Sequence, residues 1–241
     1  MSITSILTAQ NLVLNGSFEQ FDKCPDNYVI KNKSCLVPHW NIPTGGTPDY
    51  FNSCTLFQVG VPQNYMGYCL PKDGMAYAGF ITLYDPPKDT TKIGTVNYRE
   101  YLQTKFTNPL IKNQTYKVSL YFSIASYSTF ATNRLGIYIS KKKIRNKLTT
   151  KILHYKPQIY TDTISINTEM DTWIELSGIY TAMGGESFLT IGNFYDDKNT
   201  RFEYIENNEV SSIVKEKIQR RRIAYYYIDN VSVILYSNIH S

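Results

Sequence analysis

Thr115-Tyr116-Lys117-Val118-Ser119-Leu120-Tyr121-Phe122-Ser123-Ile124 alternates from end to end. Tyr116, Val118, Leu120, Phe122 and Ile124 share one face of an extended chain, and Lys117, Ser119, Tyr121 and Ser123 share the other. The same rhythm recurs in Arg134–Ser140, where Leu135, Ile137 and Ile139 alternate with Gly136 and Tyr138. Trp173–Thr181 and Ser187–Phe194 repeat it on either side of the glycine turn Ala182-Met183-Gly184-Gly185, and Ala224–Tyr236 is the longest run. Weaker strand patterns lie at Gln10–Leu14, Thr55–Val59, Met75–Ile81, Tyr98–Lys105 and Gln158–Ile164. Helical periodicity is nearly absent. About ten short strands punctuated by Gly, Pro and Asn predict an all-β antiparallel sandwich or jelly roll. Asn108-Pro109-Leu110 reads as a turn, with Asn113 suited to a left-handed backbone.

Three stretches break the rhythm. Residues 22–74 form a long, irregular segment with six prolines, of the length that is functional or stapled. Residues 141–151 and 196–222 are charged insertions, the second with a possible short helix over Ser211–Arg222. No internal repeat or linker divides the chain, so residues 10–241 are expected to form one β-sandwich domain.

Composition narrows the class. Twenty-one tyrosines against two tryptophans suit half-exposed strands and wet surfaces, since the ring is apolar and its tip polar. The net charge of +5 bears more on solubility than on function, and its basic residues gather in the two insertions. Met1–Gln10 reads as the tail of a signal peptide, with Ala9 just before the cut, leaving residues 1–9 as its remnant. No run approaches the ~18 apolar residues of a membrane-spanning helix. The cysteines Cys24, Cys35, Cys54 and Cys69 lack Cys-x-x-Cys spacing and permit three pairings. Closing short loops favours Cys24–Cys35 with Cys54–Cys69, which requires an oxidising compartment.

Asn11-Leu12-Val13-Leu14-Asn15-Gly16-Ser17-Phe18-Glu19 resembles the opening of galactose-binding-like carbohydrate-binding modules. Tyr227-Ile228-Asp229-Asn230-Val231-Ser232-Val233 resembles their closing strand, and Thr115–Tyr121 and Trp173–Gly178 fit the central strands in order. Pro43–Asn52, Val59–Asn64, Gly74–Phe80 and Tyr98–Leu102 are similar to exported Bacteroidota surface domains, often found before an OmpA-like domain. The resemblance implies a non-catalytic binding module, exported to the periplasm, outer membrane or cell surface. It also implies a structural Ca2+ held by Glu19 and Asp229 with backbone carbonyls, a hard-oxygen shell that would tie the chain ends together.

A glycan needs flat aromatic faces and fixed polar groups. The candidates are Trp40, Tyr50, Asp49 and Asn52 in the long segment, and Tyr84 in another loop. Tyr98, Arg99 and Glu100 lie on one predicted strand, and Tyr121 and Tyr138 point away from their strands' apolar faces. Any one of these rings could instead be core. Enzyme classes find little support, since His39, His154 and His240 lack metal-ligand spacing and no nucleophile elbow or phosphate loop occurs. The basic insertions are expected to be solvated loops rather than a nucleic-acid surface. The expected partner is a glycan or cell-envelope polysaccharide, with a surface protein as the second class.

Overall fold

A computed structural model describes residues 10–26, 37–84, 97–162, 171–205 and 222–236. The expected signal remnant, Cys35, His240 and nearly all of the possible helix at Ser211–Arg222 lie outside the described residues.

Two five-stranded antiparallel sheets pack as a jelly-roll sandwich, and no α-helix occurs among the described residues. The first sheet runs β1 (Trp40–Asn41), β6 (Tyr101–Lys105), β12 (Phe188–Gly192), β9 (Gly136–Ser140) and β10 (Ile159–Tyr160). The second runs β11 (Ile174–Thr181), β7 (Thr115–Ile124), β14 (Ile223–Leu235), β5 (Ala76–Tyr84) and β2 (Asp49–Asn52). Two short two-stranded ladders complete it, the hairpin β3 (Gln63–Asn64) with β4 (Gly67–Tyr68) and the long-range pair β8 (Phe130–Thr132) with β13 (Phe202–Tyr204).

The alternation in β7 is what builds the core. Val118 and Leu120 meet Val233 and Ile228 of β14 and Ala78 and Phe80 of β5. The inner face of the first sheet answers with Leu102, Leu189, Ile191, Ile137 and Ile139. Each such side chain contributes roughly 1.5–3 kcal/mol by leaving water. The glycine turn after β11 crosses from one sheet to the other, with Gly184 and Gly185 at φ of 92° and 90°. Asn113 takes φ of 65°, the left-handed position its sequence context suited.

The opening and closing motifs meet in space. Val231 donates its N–H to the Gly16 carbonyl, and a Cβ on Gly16 would run into the Val231 carbonyl oxygen. Asn11 accepts from Val233 N–H and donates to Val231 O, across a bulge in β14 between Asp229 and Ser232. The opening residues are therefore turns with one bridge, Val13 to Phe106, rather than the expected strand. Thr55–Val59 likewise holds a short 3-10 turn at Phe57–Val59 where a strand was expected.

Residues 22–74 are less irregular than they read. β2 lies within them, wholly buried, with Tyr50 in the main core and Phe51 in a second one. That second core lies between the outer face of the second sheet and the covering residues 59–69, and contains Phe51, Tyr77, Tyr225, Tyr227, Val59, Met66 and Cys69. The basic insertion at 141–151 is also more than a solvated loop. Its lysines are exposed, yet Ile144 packs with Leu153 against Tyr101 and Phe194 on the outer face of the first sheet.

The cysteine pairing differs from the expectation. Cys24 bonds Cys54, with Cα atoms 6.0 Å apart, and Cys69 is a free, buried thiol. The bridge spans 30 residues and fastens the opening turns to the end of β2, a long-range closure that loop length could not reveal. Burial pushes the Cys69 thiol up to about 12, so it stays protonated and inert.

Candidate functional site

Most polar and aromatic residues that the sequence nominated as a loop surface are inside. Trp40 is only 3% exposed, its ring 4.8 Å from Phe18 and its indole N–H donated to the Asn15 carbonyl. Tyr50 donates its hydroxyl to the Phe18 carbonyl and receives a bond from Asn52, whose side-chain oxygen accepts from Cys54 N–H. These three residues lock the opening turns onto β2. A ligand cannot reach their rings without unfolding that contact.

Asp49, Arg99 and Glu100 are buried too. Asp49 accepts hydroxyl donors from Tyr65 and Tyr225, both at 2.6 Å. Burial, with repulsion from Glu100, pushes its carboxyl well above the usual carboxylate range, against the pull of the two hydroxyls. Glu100 accepts from Thr47 N–H and hydroxyl, Tyr98 hydroxyl and Ile81 N–H, so every contact it makes is internal. Arg99 pairs with Asp197 at 2.9 Å and donates to the Tyr98 and Tyr195 carbonyls, holding the second insertion against the first sheet. Tyr84 and Tyr98 remain half-buried, their ring centroids 6.0 Å apart; Asp85-Pro86-Pro87 beyond them lie outside the described residues.

Tyr121 and Tyr138 do point outward, but from different sheets. Tyr121 lies on the outer face of the second sheet beneath the Lys72 ammonium, 4.5 Å from its ring centroid. Tyr138 lies on the outer face of the first, so no one surface holds both.

Tyr138 belongs to a row of aromatic rings. It stacks on Tyr155 with centroids 4.7 Å apart and planes 19° apart, and it touches Phe194 at 5.9 Å. Across β9, Tyr160 pairs with Gly136, and Pro157 packs over that glycine where a Cβ would collide with it. Tyr160 continues the row to Tyr195 at 6.1 Å, and the Arg134 guanidinium lies 4.4 Å over the Tyr195 ring. Tyr155 and Tyr160 are 43% and 37% exposed. The hydroxyls of Tyr138, Tyr155, Tyr160 and Tyr195 take no protein partner among the described residues. Alternation around Ile159 was the available signal for Tyr160, whereas Tyr155 and Tyr195 sit in loops that no periodicity marks.

Glu19 and Asp229 lie where the chain ends meet. Glu19 accepts from Met75 and Ala76 N–H, and Asp229 accepts from Asp73 and Asn230 N–H. Burial raises the Asp229 carboxyl to about 7 against those two N–H donors, and the neighbouring Glu19 and Asp73 charges add to the rise. Its charged neighbours are acidic, and among the described residues no cationic side chain pairs with it. A hard cation fits that donor set with two carboxylates, the rest of its shell coming from backbone oxygens. No cluster of three or more His, Cys, Asp or Glu side chains arranged for a metal occurs among the described residues.

No protein-family model matches the chain, and no curated protein does. Solved structures do. A cleaved adhesin domain of Lys-gingipain from Porphyromonas gingivalis is 14% identical, covering 83% of this chain and 92% of that one at a TM-score of 0.38. A xylan-binding domain from Paenibacillus barcinonensis is 14% identical, covering 86% and 91% at 0.38. The enzymatically active domain of a bacteriophage tailspike protein is 11% identical, covering 94% of this chain and 21% of that one at 0.41. Likenesses of this size leave ligand and activity to be argued from the site itself.

Proposed function

We propose that this chain is a non-catalytic, exported glycan-binding module that takes its ligand on the aromatic row of the first sheet. The observation that carries the reading is the set of four tyrosines on one outer face whose hydroxyls have no protein partner among the described residues. Sugars present C–H faces to such rings and hydroxyls to such tips, and Arg134 and Asp162, paired at 2.6 Å, stand at the end of the row as further polar contacts. The Cys24–Cys54 disulfide suits an oxidising compartment outside the cytoplasm. Glu19 and Asp229 would hold a Ca2+ whose charge compensates two carboxylates and pins the opening turns to β14. It would stabilise the sandwich from a position remote from the aromatic row.

A protein partner is the second reading, favoured by Leu56, Tyr68, Leu70 and Met75, which stand exposed on the segment covering the second sheet. A glycan array with insoluble cell-wall polysaccharides separates the two. The glycan reading expects a specific hit that Tyr155→Ala abolishes with the melting temperature unchanged. Silence across the array, or a hit indifferent to Tyr155→Ala, sinks it.

A further inference from the structure

One end of the sandwich carries two apolar tips in a field of lysines. The loop after β6 and the glycine turn after β11 are fastened together by backbone hydrogen bonds, Leu110 N–H to Glu186 O and Gly185 N–H to Leu110 O, both 2.8 Å. Asn113 N–H to Ala182 O and Ala182 N–H to Gln114 O, also 2.8 Å, repeat the lacing one step along. The two loops therefore move as one piece. From that laced piece Ile111 projects 60% exposed and Met183 68% exposed.

The charge around the tips has one sign. Lys112 packs against Gly184, where a Cβ would come within 2.8 Å of the Lys112 Cβ, and the Lys141 stem lies beside Gly185. Lys142 follows Lys141, and Lys105 sits in register with Phe188, itself in register with Ser140, on the same end of the sheet. None of these four lysines forms an ion pair with an acid among the described residues. Glu186 is the one acid within residues 105–115, 140–151 and 181–188, and it is buried, accepting the Tyr180 hydroxyl and the Met183 N–H. Within those three stretches no acid faces outward to neutralise the lysines.

We propose that this end docks on a lipid bilayer with anionic headgroups, Ile111 and Met183 entering the acyl boundary and the lysines meeting the phosphates. The two features select that partner together. A soluble polyanion would use the lysines and gain nothing from exposed Ile111 and Met183, whereas a bilayer interface rewards apolar tips and basic flanks at once. The surface uses none of the residues of the aromatic row, so the two sites can be altered one at a time.

Sedimentation of the whole protein with vesicles tests this. Co-sedimentation is expected with phosphatidylcholine mixed with phosphatidylglycerol and not with phosphatidylcholine alone. It should weaken sharply at about 1 M salt, where the Debye length shrinks to about 3 Å. Met183→Ser and Ile111→Ser should each weaken partition by about tenfold, the loss of one buried apolar side chain. Lys112→Glu should also weaken it, while Tyr155→Ala leaves it unchanged. Equal thermal melts for all variants show that the fold is intact. No sedimentation with either vesicle, or sedimentation that survives both serine variants, overturns the proposal. Retention on a heparin matrix that loses strength in Lys112→Glu but not in Met183→Ser overturns it as well, and assigns the surface to a polyanion.

Discussion

The outer faces of the two sheets are both rich in tyrosine, and they are used in opposite ways. On the second sheet Tyr225 donates to Asp49, as does Tyr65 from the segment above, Tyr77 donates to the Cys69 carbonyl and Tyr227 donates to Asn64. The segment from Val59 to Cys69 closes over them, and the rings pack edge to face, as Phe51 does on Tyr227 at 5.4 Å and 89°. On the first sheet the cover formed by Ile144 and Leu153 stops short, leaving Tyr155 and Tyr160 in water with their hydroxyls unspent. The comparison teaches that ring count says little about binding. What distinguishes a core tyrosine from a surface one is whether the protein supplies a partner for its hydroxyl, because an unpaired polar tip is costly only where water is excluded.

The largest expected effect separates the two faces by stability. Tyr227→Ala removes a fully buried ring and one of the two donors to the Asn64 side-chain oxygen, and should destabilise by about 3–5 kcal/mol in chemical denaturation. Tyr155→Ala should cost less than about 1 kcal/mol. Equal costs would mean the first-sheet row is packing rather than platform.

Calcium gives an intermediate effect at a third place. Chelation should lower the melting temperature, a gain on re-addition of roughly 2.7 kcal/mol corresponding to ion at 100 times its Kd. Asp229→Asn and Glu19→Gln should each remove that sensitivity while leaving the tyrosines of both faces in place. An untouched melting temperature after chelation would leave the two carboxylates as hydrogen-bond acceptors alone.

The last prediction is the share of the pH slope that Asp49 adds on the sealed face, beside the fall that the raised Asp229 carboxyl gives over the same range. Because burial raises the Asp49 carboxyl, the folded state keeps its proton after the unfolded chain has lost it. Stability from this group is therefore full below the unfolded value near 4 and falls as pH rises toward the elevated folded value. Asp49→Asn should flatten that fall relative to the parent when melting is followed between about pH 4 and pH 7. Parallel curves for the two proteins would show that Asp49 is ionised in its tyrosine cage.

Much of this arrangement was legible in the residues, and the gaps have physical causes. Thr115–Ile124 announced β7 because one face meets the core and the other does not. Asn15-Gly16 and Asp229-Asn230-Val231 were recognisable at opposite ends of the sequence because their backbones touch, and only glycine fits at position 16. β2 escaped notice because it is buried on both faces, which erases the polar half of the alternation. Alternation also tells which way a side chain points without telling which sheet it is on, so the outward direction of Tyr121 and Tyr138 did not reveal that they lie on opposite sides of the sandwich. Trp40 drew attention as a loop aromatic, and the close contact with Phe18 that buries it is a tertiary fact. The Cys24–Cys54 bridge follows from where β2 ends, which short-loop reasoning could not supply.

The claim that the open face is the working face is tested most directly by titrating a glycan identified on the array into the parent, Tyr155→Ala and Tyr160→Ala by calorimetry, with calcium present. Saturable heat in the parent, weakened by about tenfold or more in each variant at an unchanged melting temperature, is the predicted result; stacking losses of one to three kcal/mol per ring would produce it. Equal affinity in all three proteins would contradict the account and move the binding surface off the first sheet.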